Sequence, residues 1–365
     1  ASRDASESRD AADVMFGGGI SDHQALAEKN LSRAVKFDDA AARIPAEVAG
    51  LPTRDKDGKW IATGLSSFGF VFNDRDAARR NIAAPKSWDD LADPRFAGWL
   101  GIADPEMSSS HRACMVVVLE KYGWNEGWSR LIRMLANSRG LVERSAAALQ
   151  QTRNGIFLAS FAVNFDGLES QAESGNGLKY VNPPGATAVT PDAISVLATS
   201  RDPEIAELFA KFVLSEDGQR LWIATPEKGD ERRPLYHYPI DPKAYELAAD
   251  KRCLPDNPLT ADFGLKYDLE KAKRYEALIG PLVEAACGDN HVALQQAWQA
   301  VAAAGVPAAA LAELTKPPLD EAGAAELGKK YRDASADEEK AMRQRWSEEF
   351  AERYRKVLAL TQQKS

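Results

Sequence analysis

An apolar run, a polar turn and an amphipathic stretch follow one another in LGIADPEMSSSHRACMVVVLEKY, residues 100–122. The run Leu100-Gly101-Ile102 has the length of a buried strand. From Arg112 to Tyr122 the apolar residues recur at three- and four-residue spacing, as they do on one face of a helix. A strand followed by a helix is the repeating unit of α/β domains, so this stretch predicts the α/β fold class.

The same alternation continues over residues 13–187 and predicts βα units around largely parallel sheets. Besides the run at residue 100, the predicted strands are Val14 to Phe16, Phe68 to Phe72, Ile156 to Phe161, Lys179 to Val181 and Ala193 to Leu197. The predicted helices are His23 to Asn30, Arg112 to Tyr122, Glu126 to Asn137 and Pro203 to Phe212.

The pattern changes in the C-terminal third of the chain. From Asp268 onward it is almost wholly helical, which predicts a helical C-terminal extension. The last segment, Asp337 to Leu360, carries an apolar stripe at four-residue spacing, formed by Trp346, Phe350, Tyr354 and Leu358. We expect this stripe to pack within the protein rather than to bind a partner.

Size and charge narrow the class of protein. The chain has 365 residues, of which 44% are hydrophobic. A chain of that length usually divides into two domains rather than forming a single core. The net charge of −8 argues against a nucleic-acid or membrane-surface partner, because both recruit an excess of Lys and Arg. No window approaches the roughly 18 consecutive apolar residues that a membrane span needs.

The chain begins at Ala1 without an initiator Met or an apolar signal region, which predicts a processed export product or a fragment. Its three cysteines match no metal-site spacing. Cys114 lies in an apolar helical run and is expected to be a buried, inert thiol. Cys253 and Cys287 could pair in an oxidising compartment, which the sequence leaves open.

The serine run Ser108-Ser109-Ser110 stands directly before an apolar helical run, at the predicted first turn of a helix. Free N–H groups and the positive end of the helix dipole favour an anion at such a position. Ordinary N-capping by one of the serines explains the same pattern equally well. His111 could add a donor or a switchable charge, although a single histidine is more often structural.

Two further segments carry small or hydroxyl residues next to predicted strands. In Gly17-Gly18-Gly19, the amides of Gly18 and Gly19 could approach a ligand without Cβ obstruction, but a tight strand-to-helix turn explains the glycines as well. Ser66 and Ser67 lie at a strand entry, in GLSSFG (64–69). This run is not the G-x-S-x-G nucleophile elbow, because Phe68 stands where the last glycine belongs.

Polar residues also flank two later strands. Asn164 and Asp166 close one strand and start a helix, at the carboxyl end where α/β sheets hold ligands, and Asp166 is equally well explained as a helix cap. Thr187 and Asp192 flank the strand Ala193 to Leu197, where turn chemistry around Pro191 is the alternative.

Taken in order, several stretches resemble the iron(III)-type branch of the family 1 extracellular solute-binding proteins, which have the type II periplasmic binding fold. The order is more specific than any one motif. The matching stretches are ADVMFGGG (12–19), WDDLADPRF (88–96), ADP (103–105) leading into SSS (108–110), PPGAT (183–187), AKFVLSEDGQ (210–219) and LW (221–222).

The resemblance implies two α/β lobes with chain crossings near Phe68 to Phe72 and Thr187 to Leu197. The first lobe would combine residues 1–73 with residues 187–365, which include the helical extension, and the second lobe would be residues 74–186. A small anionic ligand would bind in the interlobe cleft, with Ser108–Ser110 on the anion and Ser67, Asn164 and Thr187 closing around it.

By the same resemblance, the protein would be a periplasmic monomer that hands its ligand to the permease of an ABC importer. It would bind no cofactor and catalyse no reaction. The other interpretations left open are a hydrolase and a ligand sensor that does not transport. The four histidines lie near no recognisable partner motif for hydrolysis.

The sequence departs from the family in two places. Members begin with a strand, a helix and a second strand before the glycine run, whereas a dozen polar residues precede it here, so we expect an N-terminally truncated sequence. Ferric-binding members use adjacent tyrosines just after the strand that ends here at Asn164, but this chain has no Tyr-Tyr pair. Whether a metal is bound stays open, and the ligand would be a phosphate ester, a phosphonate or a ferric or anion complex. Relatives that lack the tyrosine pair resemble importers of phosphorylated or phosphonate compounds. Asp166 could face an ammonium group or a metal.

Overall fold

The computed structural model describes residues 12–175, 177–227, 230–254 and 256–362. These residues group into two compact units. Unit 1 comprises the described residues of Ala1–Ser67, Asn164–Glu169 and Ala188–Leu269, and unit 2 comprises those of Phe68–Val163, Ser170–Thr187 and Glu270–Ser365. Residues 1–11 and 363–365 of the predicted lobes lie outside the described residues.

The secondary structure alternates between strands and helices up to residue 239. In chain order its first elements are β1 (Val14–Gly19), α1 (Ile20–Glu28), α2 (Asp38–Arg43), β2 (Glu47–Val48), β3 (Leu51–Pro52), β4 (Ile61–Asn73), α3 (Asp74–Arg79), α4 (Trp88–Leu91) and β5 (Leu100–Ala103). There follow α5 (Ser109–Ala136), β6 (Ser138–Val142), α6 (Ser145–Arg153), β7 (Ala159–Val163), α7 (Asn164–Glu173), β8 (Leu178–Val181), β9 (Val189–Val196), α8 (Pro203–Val213), α9 (Glu216–Ile223) and β10 (Tyr238–Pro239).

The C-terminal elements are helical, as the sequence predicts. They are α10 (Leu269–Val283), a π-helical turn (Glu284–Gly288), α11 (His291–Ala303), α12 (Ala308–Thr315), α13 (Glu321–Arg332) and α14 (Ala336–Gln362). Among the described residues, no helix is both long and apolar enough to cross a membrane.

The sheet of unit 1 is antiparallel. Strand β9 pairs on one side with β1, where Gly19 lies opposite Asp192, and on the other with the first half of β4, where Ser66 lies opposite Thr190. Strand β10 also pairs antiparallel with β4. This corrects the prediction of largely parallel sheets, because hydrophobic alternation reports which face of a strand is buried but not its direction.

Unit 2 holds the parallel βα units. Strand β5 pairs parallel with both β6 and β7, and α5 and α6 connect these strands. The second half of β4 pairs antiparallel with β7 and β8. The predicted α/β class is therefore confirmed. Helix α5 is interrupted at Gly123, whose φ of 76° and ψ of 168° are not helical, so it consists of the two predicted helical stretches.

The C-terminal helices belong to unit 2, whereas the family resemblance implied that they join the first lobe. Their aromatic residues stack on α5, with ring centroids of Trp124 and Tyr275 5.2 Å apart and those of Trp128 and Phe350 6.0 Å apart. The indole of Trp298 donates to Asn137 at 2.7 Å. Helical periodicity predicts an apolar face but not the surface that it meets, which explains the difference.

The predicted packing stripe on α14 is largely confirmed, since Trp346, Phe350 and Tyr354 are buried and Leu358 is half-buried. Cys114 is buried, as predicted, and burial raises its pKa, which disfavours the reactive thiolate. Cys253 and Cys287 are both free thiols.

Candidate functional site

The serine run forms the start of α5, directly after the turn that follows β5. Ser108 is the N-cap, and its Oγ accepts the N–H of His111 at 3.3 Å. The hydroxyls of Ser108 and Ser110 lie 3.3 Å apart, and Ser109 is exposed. The first turn contains no acidic residue. Capping is thus confirmed for Ser108, while Ser109 and Ser110 place further hydroxyls at the positive end of the helix dipole.

His111 fixes the helix start to the strand before it. Its side chain is fully buried, and Nδ1 accepts the N–H of Ala103, the last residue of β5, at 2.8 Å. Burial lowers the pKa of His111 to about 3. The imidazole is therefore neutral at physiological pH, which corrects the expectation of a switchable charge. The contact of His111 with a ligand remains a prediction.

Thr187 is bound to the backbone of β4. Its Oγ1 donates to the carbonyl of Phe68 at 2.6 Å and accepts the N–H of the same residue at 3.1 Å. The side chain is buried. In this structure Thr187 thus braces the first residue of β4 that belongs to unit 2.

Unit 1 brings a hydroxyl, a carboxylate and an imidazole together. Ser66 Oγ donates to Asp192 Oδ2, and His237 Nε2 lies 3.2 Å from the same oxygen without the alignment of a hydrogen bond. A Cβ on Gly64 would lie 2.5 Å from His237 Nε2, so this glycine makes room for the imidazole. Asp192 also lies opposite Gly19 in the sheet.

Aromatic rings enclose this imidazole. The ring centroid of His237 lies 4.2 Å from that of Trp222 and 4.8 Å from that of Phe165, the second residue of α7. Trp222 in turn contacts Phe16 edge-on at 5.9 Å. The sequence carries no signal that singles out His237, because this residue lies in an irregular segment and meets Asp192 only through the fold. The nearest signal was the Leu221-Trp222 pair in the family resemblance.

Asn164 has a donor group without a partner. Its Oδ1 accepts the N–H of Ser67 at 2.9 Å, whereas Nδ2 has no hydrogen-bond partner in the part of the chain that the structure describes. The side chain is fully buried. Helix α7 starts here without a side-chain cap, so Asp166 is not its N-cap, and Asp166 is half-buried in the first turn. A buried donor left unpaired is costly, so Asn164 is a candidate ligand contact.

The glycine run ends β1 and begins α1. Gly18 has a φ of 85°, and both Gly18 and Gly19 are exposed, with open space around the Cβ position of Gly19. His23 braces the run from inside, with Nε2 3.1 Å from the carbonyl of Gly17 and Nδ1 2.7 Å from Ser195 Oγ. The tight strand-to-helix turn and the unobstructed amides therefore occur together.

The predicted site residues fall into two groups. Unit 1 contains Gly18, Gly19, Ser66, Ser67, Asn164, Asp166 and Asp192, and unit 2 contains Ser108, Ser109, Ser110, His111 and Thr187. Within the described residues, no three His, Cys, Asp or Glu side chains are placed to hold a metal ion. Tyr238 is buried in the core of unit 1, and burial raises its pKa.

The fold is that of the type II periplasmic binding proteins. AfuA of Actinobacillus pleuropneumoniae, solved with fructose-6-phosphate, has a TM-score of 0.58 at 20% identity over 74% of this chain and 79% of that one. The periplasmic binding protein P5PA also has a TM-score of 0.58, at 22% identity over 77% and 84% of the two chains. Iron-bound HitA of Pseudomonas aeruginosa has 0.54 at 19% identity, over 74% and 84%.

Residues 11–251 match the family described as bacterial extracellular solute-binding protein, and the chain belongs to this family. The phosphoglycerate transport regulatory protein PgtC of Salmonella typhimurium is 26% identical over 258 residues, which are 70% of this chain and 61% of PgtC. An uncharacterised Haemophilus influenzae protein is 26% identical over 220 residues, which are 58% and 60% of the two chains. The chain thus spans about three fifths of these relatives.

Proposed function

We propose that this chain is the solute-binding component of an ABC importer that captures a small anionic ligand in the periplasm and delivers it to a membrane permease. It acts as a monomer and needs no cofactor. The family match supports the binding role, since the family is described by solute binding.

The start of α5 is the observation that carries the choice of an anion. Its free backbone N–H groups and the hydroxyls of Ser109 and Ser110 are donors, and no carboxylate in the first turn opposes a negative charge. The Nδ2 group of Asn164 is a further unpaired donor in unit 1. The donors at the start of α5 suit a phosphate or phosphonate, which presents several acceptor oxygens.

Two relatives support the phosphorylated class of ligand. PgtC is named for phosphoglycerate, and AfuA was solved with fructose-6-phosphate. Iron is less well supported, although HitA was solved with iron, because this chain lacks adjacent tyrosines and Tyr238 is buried. We therefore place phosphate esters and phosphonates ahead of ferric complexes.

A thermal-shift screen tests the proposal. The compounds are 3-phosphoglycerate, glycerol 3-phosphate and fructose-6-phosphate, each paired with its dephosphorylated analogue. A ligand at 100 times its dissociation constant should add about 2.7 kcal/mol to the free energy of unfolding, and the analogues should add almost nothing. Equal stabilisation by both members of every pair, or by none, would contradict the binding of phosphate esters.

The resemblance also predicts that the protein closes on its ligand, which scattering can test. The radius of gyration should fall when a ligand identified by the screen is added. An unchanged radius at saturating ligand would count against this mechanism.

The second candidate is a ligand sensor, which the words "transport regulatory protein" in the name of PgtC favour. Stimulation of the ATPase of a co-encoded permease by the liganded protein would support import. Ligand binding without any such stimulation would support sensing.

A hydrolase is a weaker candidate, although Ser66, Asp192 and His237 lie together. Ser66 is buried and donates a hydrogen bond to Asp192. A serine nucleophile instead donates its hydrogen bond to a histidine, which a carboxylate orients. Turnover of p-nitrophenyl esters that is lost in Ser66→Ala would revive this candidate.

A further inference from the structure

The turn before the serine run is organised by its own backbone and by α5. Asp104 accepts the N–H of Glu106 on its side chain at 2.8 Å and the N–H of Ser108 on its carbonyl at 2.9 Å. Arg112, one turn into α5, donates to the carbonyl of Pro105 at 2.8 Å. These contacts leave the carboxylate of Glu106, two residues before the N-cap, available to another element.

Helix α14 takes up that carboxylate. Arg343 Nη1 donates to Glu106 Oε2 at 2.9 Å and Nη2 to Glu106 Oε1 at 2.5 Å, a two-pronged ion pair. Its Nε donates to the hydroxyl of Tyr331 on α13 at 2.7 Å, which fixes the plane of the guanidinium. The paired Glu106 raises the pKa of Arg343. A guanidinium that donates hydrogen bonds from all three nitrogens fixes both the position and the orientation of its partner.

Helix α10 shapes the other side of Glu106. A Cβ on Gly280 would lie only 2.7 Å from Glu106 Cγ, so the side chain of Glu106 passes directly over the α10 backbone. A larger residue at position 280 would have to displace the side chain of Glu106. The helical extension therefore holds Glu106 by an ion pair from α14 and by close packing against α10.

The positive charge of Arg343 matters as well as its shape, because several carboxylates lie near Glu106. Glu284, in the π-helical turn, faces Asp104, Asp289 and Glu106, and burial together with these carboxylates raises its pKa, which Arg343 opposes. Without the guanidinium, Glu106 would face the other carboxylates uncompensated. Repulsion would then drive the turn away from the extension.

We propose that Arg343 is a positioning residue for ligand binding, which holds Glu106 and the Asp104–Met107 turn so that Ser108–Ser110 keep the geometry that receives the anion. This inference rests on the proposed function. It also gives a role to a helix outside the residues that match the family, which end at residue 251.

Hydrogen exchange in the ligand-free protein tests the positioning directly. In Arg343→Ala, amides of residues 104–112 should exchange about fivefold or more faster, while peptides from unit 1 stay unchanged. Arg345→Ala is the matched control, because Arg345 lies on the same helix and pairs with Glu349 rather than with the turn. Unchanged exchange at residues 104–112 in Arg343→Ala would overturn the proposal.

Gly280→Ala separates positioning from general stability. Alanine is the better helix former, so this change should not weaken α10 itself, yet its Cβ should displace Glu106. We expect faster exchange at residues 104–112 with at most a small fall in melting temperature, because the helix propensity of alanine offsets part of the overpacking. Unchanged exchange here would show that the packing on α10 does not hold the turn, which would overturn that part of the proposal.

Affinity for 3-phosphoglycerate supplies the functional measurement. Arg343→Ala should weaken binding about three- to tenfold, and Arg343→Lys should weaken it less, because lysine keeps the charge but not the fork. Unchanged affinity in Arg343→Ala, with wild-type binding intact, overturns the positioning role alone. If the wild type binds none of the phosphorylated compounds, the proposed function fails with it, and the exchange data then report only a structural clamp.

Discussion

The candidate ligand groups of unit 2 are local in sequence, whereas those of unit 1 come from separate segments. In unit 2, Ser108 to His111 are consecutive and sit at one helix start without a carboxylate in its first turn. In unit 1, Ser66, Asp192 and His237 meet from strands and a loop far apart in the chain. The local group is built from backbone donors, and the assembled group contains a carboxylate in an aromatic setting. The helix start of unit 2 therefore favours negative charge, whereas the carboxylate in the unit 1 group opposes it.

The largest expected effect concerns His111. Its pKa of about 3 lies below the value near 6.5 of an unfolded chain, so the unfolded state takes up the proton first as the pH falls. The stability that His111 contributes is therefore complete above about pH 6.5 and is lost towards pH 3, at up to about 1.4 kcal/mol per pH unit. His111→Gln removes this proton uptake.

Urea unfolding at a series of pH values measures the effect. The free energy of unfolding should fall less steeply with decreasing pH in His111→Gln than in the wild type. His23, whose pKa burial also lowers, acts in the same direction in both proteins and cancels in the comparison. Parallel curves for the two proteins would refute the prediction.

The serines should divide by role. Ser109→Ala and Ser110→Ala should weaken anion binding about tenfold to a hundredfold, since a hydrogen bond to a charged group contributes about 1.5–3 kcal/mol. Ser108→Ala removes the cap and should lower stability by about 1 kcal/mol. Calorimetry and melting temperatures of all three variants give both quantities. If the Ser109 and Ser110 variants keep their affinity but lose stability, these serines only cap the helix and do not bind the anion.

Gly64→Ala should disturb the assembled group of unit 1. The new Cβ would press on His237 Nε2 and lie 3.0 Å from the carbonyl of Tyr238, and overpacking of this kind costs about 1–3 kcal/mol. Gly19→Ala is the control, because its Cβ meets open space, and it should cost less than about 1 kcal/mol. Equal losses in the two variants, measured by urea unfolding, would show that His237 is not held as described.

The last prediction concerns iron(III), for which we expect no change in the absorption spectrum. Adding iron(III) should give no visible tyrosinate charge-transfer band, because no adjacent tyrosines follow β7 and Tyr238 is buried. Absorption spectra of the protein titrated with ferric citrate test this. A band that disappears in Tyr236→Phe or Tyr238→Phe would show that the ligand is a ferric complex rather than a phosphorylated compound.

The sequence predicts what depends on neighbouring residues and misses what depends on distant ones. The strand-turn-helix order around Ser108 and the packing stripe on α14 follow from periodicity. The antiparallel pairing of β9, the side of the molecule on which α10 to α14 pack, and the meeting of His237 with Asp192 do not, because each needs residues more than 40 positions apart to be placed together. The unpaired Nδ2 of Asn164 is likewise visible only when its surroundings are known.

The ion pair between Glu106 and Arg343 also bears on how unit 2 folds. Its partners are 237 residues apart, and the aromatic stacks between α5 and the C-terminal helices join Trp124 to Tyr275 and Trp128 to Phe350, which are also far apart in the chain. Contacts of such long range form late and slowly, because a long loop must close before they stabilise anything. The turn that presents the serines should therefore acquire its final rigidity among the last events of folding, after β5 and α5 have already formed.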